Sequence, residues 1–104
     1  MVDRYRVIIL PVASDELIEI CSHIEEQSPQ NATIVAQRLL DAIDSLDQLP
    51  HRYKVHEHRT DPEKTVRSMP VPPFVIYYRV DDIRFSVRIL SVRHGARRQP
   101  IRFP

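Results

Sequence analysis

Ten residues, Ser91 to Pro100, read SVRHGARRQP and set His94 and Gly95 among Arg93, Arg97 and Arg98. An imidazole titrates near neutral pH and can carry a proton to or from a reacting atom. Guanidinium groups stay charged and grip planar oxyanions with paired N–H donors. A histidine among arginines therefore has two readings: acid–base chemistry at a phosphate, or a structural hydrogen bond within a basic surface. Further cations stand upstream. Arg67, Arg79, Arg84 and Arg88 fall in apolar, β-rich segments and are candidate anion-binding or target-binding residues, and Arg52 and Lys54 are candidate phosphate contacts. Gly95 is the only glycine in the chain. A glycine at the end of a strand permits a positive φ or a close approach of backbone, so Gly95 is expected to turn the chain out of that strand and to set Arg97 and Arg98 at the sheet edge beside Arg67 and Arg79.

The charge is unevenly divided. Residues 1–50 hold three arginines and nine acidic side chains, a balance of −6, whereas residues 51–104 hold twelve Lys or Arg and five acidic ones, a balance of +7. Such asymmetry points to a basic surface that meets an acidic partner, to two halves that attract each other, or to both. At 104 residues the chain is expected to form one domain over its whole length. No apolar run approaches the roughly 20 residues a membrane helix requires, and no signal peptide is expected. Cys21 is the only cysteine, which fits a reducing cytoplasm and a buried, inert thiol. His56, Glu57 and His58 lack the further ligands a zinc site needs, so neither metal nor cofactor is expected.

The elements that must position these residues follow from periodicity. RYRVIIL, from Arg4 to Leu10, reads as a strand ending at Pro11. Ala13, Leu17, Ile20, Cys21 and Ile24 recur at helical spacing, with acids expected to favour the helix N-terminus. Ser28 and Pro29 then supply a cap and a first helical residue, and Val35, Leu39, Ala42, Ile43, Leu46 and Leu49 form a second stripe that stops before Pro50. Residues 51–65 show no period and are expected to be a loop. Strands are predicted over Val66–Val71, Phe74–Val80 and Ile83–Arg93, the last two joined by a two-residue turn at Asp81-Asp82. In the last strand Ile83, Phe85, Val87 and Ile89 alternate with Arg84, Ser86 and Arg88, and the phase then flips to Leu90 and Val92, as a β-bulge requires. The fold class is α+β, in the order β-α-α-β-β-β: a small, mostly antiparallel sheet with a helical hairpin on one face and arginines on the other.

This order, together with Arg67, the YYRV of Tyr77–Val80 and the V-x-H-G-A-R ending of Val92–Arg97, resembles the ParE/RelE superfamily of type II toxins. The resemblance runs over nearly the whole chain. It implies a toxin neutralised by a cognate antitoxin protein in a hetero-oligomer, with no membrane partner. RelE-type members cut messenger RNA on the ribosome and ParE-type members inhibit DNA gyrase. With Val92 aligned to the end of the RelE-type strand, the family's arginine and tyrosine positions fall on Gly95 and Ile101, which leaves His94 as the only acid–base candidate. The resemblance thus favours a non-catalytic, gyrase-directed toxin over a ribosome-dependent mRNA endoribonuclease, with a toxin-derived regulatory module as a third reading. Reversing Arg67 or Arg97 is expected to remove toxicity without unfolding the chain.

Overall fold

The structure, a computed structural model, describes residues 4–57 and 64–95. Strand β1 (Arg6–Ile9) leads directly into helix α1 (Pro11–Glu25), which starts with a proline at a position whose N–H would have no helical partner. The first turn of α1 contains no acidic residue, so the expected match of acids to the helix N-terminus does not occur; Asp15, Glu16 and Glu19 come after it. Helix α2 (Pro29–Asp44) begins as predicted, with the Ser28 hydroxyl accepting from the Asn31 amide at 3.3 Å and Pro29 following. Cys21 is half-buried, and burial raises its thiol above the ordinary range, with Glu25 adding to the effect.

A 3-10 turn (Ser45–Asp47) extends α2, and a second (Pro50–Arg52) follows Leu49. Leu49 takes a left-handed conformation, φ 47°, and is 67% exposed, so it leaves the apolar stripe to which its spacing assigned it. Part of the predicted loop is a strand: β2 (Lys54–Glu57) pairs antiparallel with β3 (Val66–Val71). Strands β4 (Phe74–Asp81) and β5 (Ser86–His94) complete a sheet of order β1-β5-β4-β3-β2, in which only β1 and β5 run parallel. The β4–β5 connection is longer than predicted. Ile83, Arg84 and Phe85 belong to it and not to the strand; Ile83 is exposed and Phe85 has φ 48°. The Asp81 carboxylate stabilises this turn by accepting from the amides of Ile83 and Arg84.

The predicted bulge is present. Tyr77 pairs with Ser91 while Tyr78 pairs with Ile89, which leaves Leu90 as the extra residue. Val87, Ile89 and, beyond the bulge, Val92 all join the core with Met69, Ile76, Tyr78 and Val80, under Ala13, Leu39, Ile43 and Leu46 of the helical layer. Leu90 instead packs with Val66 and Tyr77 in a smaller cluster on the opposite face. That face is therefore part apolar, where arginines alone were expected. Each large apolar side chain fully removed from water contributes roughly 1.5–3 kcal/mol, so the helix-side core carries most of the stability.

Tyr78 ties this core to the turn after α2. It is wholly buried, and its hydroxyl donates to the Pro50 carbonyl at 2.6 Å. Burial pushes the phenol up to about 12. An unfolded chain ionises the same group near 10, so its contribution is complete below that pH and is lost as pH rises from 10 towards 12. Tyr78→Phe is expected to leave the Pro50 carbonyl without its donor and to cost about 1–3 kcal/mol in urea unfolding at pH 7. The same variant should flatten the loss of stability above pH 10.

Candidate functional site

Cross-strand register sorts the candidate residues by face. Arg79 pairs with Arg88, Ser86 with both Asp81 and Arg6, and Arg93 with Val75. These lie opposite to the helix-packed set of Val80, Val87, Tyr78 and Ile89, on the open face of the sheet. Lys54 pairs with Ser68, which pairs with Tyr77, and so stands on the same face, exposed. His56 sets its ring against Tyr77 at 4.9 Å. The open face thus gathers Arg6, Lys54, Arg79, Arg88 and Arg93, of which Arg6 was not anticipated. Its signal was legible, because Arg4 and Arg6 alternate with residues of strand type.

Arg67 is not among them. It pairs with Tyr78 and so faces the helical side, where its guanidinium donates to the carbonyls of His51 at 3.1 Å and Tyr53 at 2.9 Å. Adjacent positions of one ladder hold Arg67 and Arg79, and they point to opposite faces of interior strands. The expected grouping of the two at one sheet edge does not form. Arg52 turns the same way. It donates to the Gln48 carbonyl, to the Leu49 and Ser45 carbonyls at 3.1 and 3.3 Å, and to the Ser45 hydroxyl at 3.0 Å, with its charge over the Tyr53 ring. Both arginines cap the carbonyl-rich turn after α2. Reversal of Arg67 would therefore strip two carbonyls of their donor, and it is no neutral surface change. Arg84, in the β4–β5 turn, pairs with Asp81 at 3.0 Å.

His94 lies exposed at the end of β5, its ring edge-on to Phe74 at 5.7 Å. Register places it beside Phe74 and places Arg67 beside Tyr78, four residues along β4, or about 13 Å at 3.3 Å per residue. Gly95 continues the β4–β5 ladder, its amide donating to the Pro73 carbonyl at 2.8 Å. It has no positive φ; what favours glycine there is close approach, because a Cβ would meet the Pro73 oxygen at 3.3 Å and the Val75 side chain at 3.4 Å, so that the carbonyl would have to give by a few tenths of an ångström. Arg97, Arg98 and Ile101 lie outside the described residues, as does His58. Among the described residues no cluster of three or more His, Cys, Asp or Glu side chains can hold a metal ion.

Two networks escaped the sequence reading. Glu16 reaches the edge of β5 beyond the end of β1 and accepts from the Ser91 hydroxyl at 2.7 Å and the Val92 amide at 3.2 Å. Arg93 stands 3.7 Å from that carboxylate and donates to Ser91 at 2.9 Å. At the opposite end of the sheet the Asp82 carboxylate accepts from the Tyr5 hydroxyl at 2.6 Å and contacts His51 at 2.8 Å. Neither could be found from spacing, because the partners are more than 30 residues apart in sequence.

The Tyr5 hydroxyl, with help from His51, holds the Asp82 carboxyl below the usual carboxylate range, and the Arg84 amide and guanidinium do the same for Asp81. Carboxylates so depressed stabilise the fold above their unfolded value near 3.8, and that stability is lost as pH falls through the folded value. Asp82 is more than half exposed, so solvent screens it. Asp82→Asn is expected to cost about 0.5–1 kcal/mol at pH 7 and to shallow the fall in melting temperature between pH 4 and pH 2.

No curated protein matches the chain. Among solved structures, it is similar to a chain of the chromosomal ParDE system of Pseudomonas aeruginosa, with TM-score 0.70 and 19% identity over 88% of this chain and 97% of that one. It is also similar to a chain of the Mycobacterium tuberculosis RelBE2 complex, with TM-score 0.60 and 23% identity over 88% and 98%. A third likeness is to the archaeal RelE–RelB complex of Pyrococcus horikoshii, with TM-score 0.65 and 17% identity over 91% and 99%. These likenesses establish the shared fold. The pattern of the family described as the ParE toxin of the type II toxin-antitoxin system, parDE, matches residues 7–99. With the two-helix layer, the five-stranded sheet and nearly the whole sequence accounted for, the chain belongs to the ParE toxin family.

Proposed function

We propose that residues 1–104 act as one cytoplasmic toxin domain that inhibits DNA gyrase by binding it, and that a cognate antitoxin holds it off in a hetero-oligomer. The family match over residues 7–99 is the observation that carries this reading. The geometry agrees with an inhibitor. A nuclease needs a proton-transfer group and fixed cations converging on one phosphate. Here His94 packs against Phe74, while Arg67 and Arg52 hold backbone carbonyls at the turn after α2. An inhibitor needs only a complementary surface. For the antitoxin, the helices offer apolar side chains to solvent: Val12, Ile18 and Ile34 are each more than half exposed. Amphipathic partner segments commonly settle on surfaces of this kind.

A ribosome-dependent mRNA endoribonuclease is the second reading, favoured by the cations of the open face and by the likeness in fold to RelE chains. Purified chain is to be incubated with gyrase and supercoiled DNA and, separately, with translating ribosomes and a defined message. Gyrase activity is expected to fall at least about tenfold, an effect of about 1.4 kcal/mol or more, while the message stays intact. Cleaved message with active gyrase, abolished by His94→Ala, would overturn the proposal in favour of the nuclease.

A further inference from the structure

Where β1 begins and β4 passes into β5, three rings and a carboxylate come together. The Tyr5 ring stands 5.4 Å from Phe85 and 6.4 Å from His51, and its hydroxyl donates to Asp82 at 2.6 Å. His51 contacts the same carboxylate oxygen at 2.8 Å. The Asp82 side chain is thereby fixed, yet it is 59% exposed. It is ionised at neutral pH, because Tyr5 and His51 hold it below the usual carboxylate range.

The turn that carries Asp82 also shows apolar side chains to water. Ile83 is 77% exposed, more than any other large apolar residue among the described ones, and Phe85 is 43% exposed. Single exposed apolar residues are ordinary, but Phe85 sits at φ 48°, in the left-handed region that bulky side chains avoid. The turn is pinned on both sides. Asp81 accepts from the Ile83 and Arg84 amides, and the Phe85 carbonyl accepts from the Arg6 amide at 2.8 Å. Strain that its surroundings hold in place is typical of sites that meet a ligand.

A carboxylate beside aromatic rings attracts an organic cation in two ways, by charge-assisted hydrogen bonds and through the ring quadrupoles. A guanidinium suits both better than an ammonium, because its fork meets carboxylate oxygens and its plane stacks on rings. The nearest arginines of the chain have other partners: Arg84 donates to Asp81 at 3.0 Å, and Arg4 stands 3.6 Å from Asp47. Ile83, next to Asp82, adds an apolar contact that a free cation has no group to fill.

We propose that Tyr5, Asp82, Ile83 and Phe85 form a seat for an arginine side chain of a partner protein, flanked by apolar residues in that partner's sequence. The seat goes beyond the gyrase reading and does not depend on it, since it is argued from this corner of the fold alone.

The probe is the blocked tripeptide acetyl-Leu-Arg-Leu amide, titrated into the isotope-labelled full chain while backbone amide shifts are followed by NMR. Acetyl-Leu-Glu-Leu amide and arginine amide are the comparisons. The probe is expected to move the amides of residues 82–85 saturably and to bind about tenfold more tightly than either comparison. Asp82→Asn should weaken it about tenfold, the loss of a charge-assisted contact. Phe85→Leu keeps the apolar bulk but removes the ring, and should weaken it about threefold. Ile83→Ser should weaken it by a similar factor, and the spectra themselves report whether each variant is folded. Glu19→Lys and Glu26→Lys, on α1, should change nothing. Binding that ignores Asp82→Asn and Phe85→Leu, or that the α1 variants abolish, would overturn the seat. Equal binding of arginine amide would overturn the partner-protein assignment in favour of a free organic cation. Movement of the same amides on concentrating the chain alone would overturn it in favour of a second copy. Gyrase and ribosomes are absent from this assay, so its failure leaves the proposed target untouched, and failure of the gyrase assay leaves the seat untouched.

Discussion

One extra residue in β5 decides what the sheet hides and what it shows. Side chains alternate along a strand, so an unbroken β5 that buries Val87 and Ile89 would send Val92 to the open side. Leu90 absorbs the mismatch as a bulge opposite Tyr77 and Tyr78. Val92 then lies under the helices with Ile76, and Ser91 and Arg93 turn outward, where Glu16 of α1 meets them at the strand's uncovered edge. The end of the core and the protection of the β5 edge both follow from that one insertion.

The arginines divide into two groups along physical lines. The turn after α2 exposes carbonyls that a helix end cannot satisfy internally. Arg52, Arg67 and the Tyr78 hydroxyl supply the donors, and the left-handed Leu49 lets the chain reverse between them. These cations are bound to the backbone, and their charge stabilises the fold locally. The open-face arginines lie on a ladder whose amides and carbonyls already pair with one another. Of these, Arg79 still donates to the Lys64 carbonyl and Arg93 is held by Ser91 and Glu16, whereas Arg6 and Arg88 make no hydrogen bond or ion pair among the described residues.

Much of this was legible in sequence because it rests on local rules. Ser28-Pro29 starts a helix through a cap and a missing N–H, and the phase change at Leu90 and Val92 marks a bulge, whatever the rest of the chain does. The errors came where a local rule met a tertiary competitor. Ile83 and Phe85 continue a perfect alternation, yet Asp81 captures two amides and converts the segment into a turn. Lys54–Glu57 shows no alternation, yet the free edge of β3 recruits it as a strand. Leu49 fits the helical stripe, but α2 ends at Asp44 and the following turn carries it into solvent. For the candidate site, residue types were readable and faces were not. Arg67 and Arg79 look alike in sequence, and only the register shows that one holds a turn while the other faces outward.

Gly95 shows how the two ends of the problem meet. The ring of positive charge around it suggested a turn that aims arginines at a target, but its backbone is ordinary and it earns its place by contact. The amide pairs with Pro73 and the missing side chain leaves room for that carbonyl. Its role is to let the β4–β5 ladder close tightly against the Pro72–Pro73 turn, with His94 against Phe74 one step before.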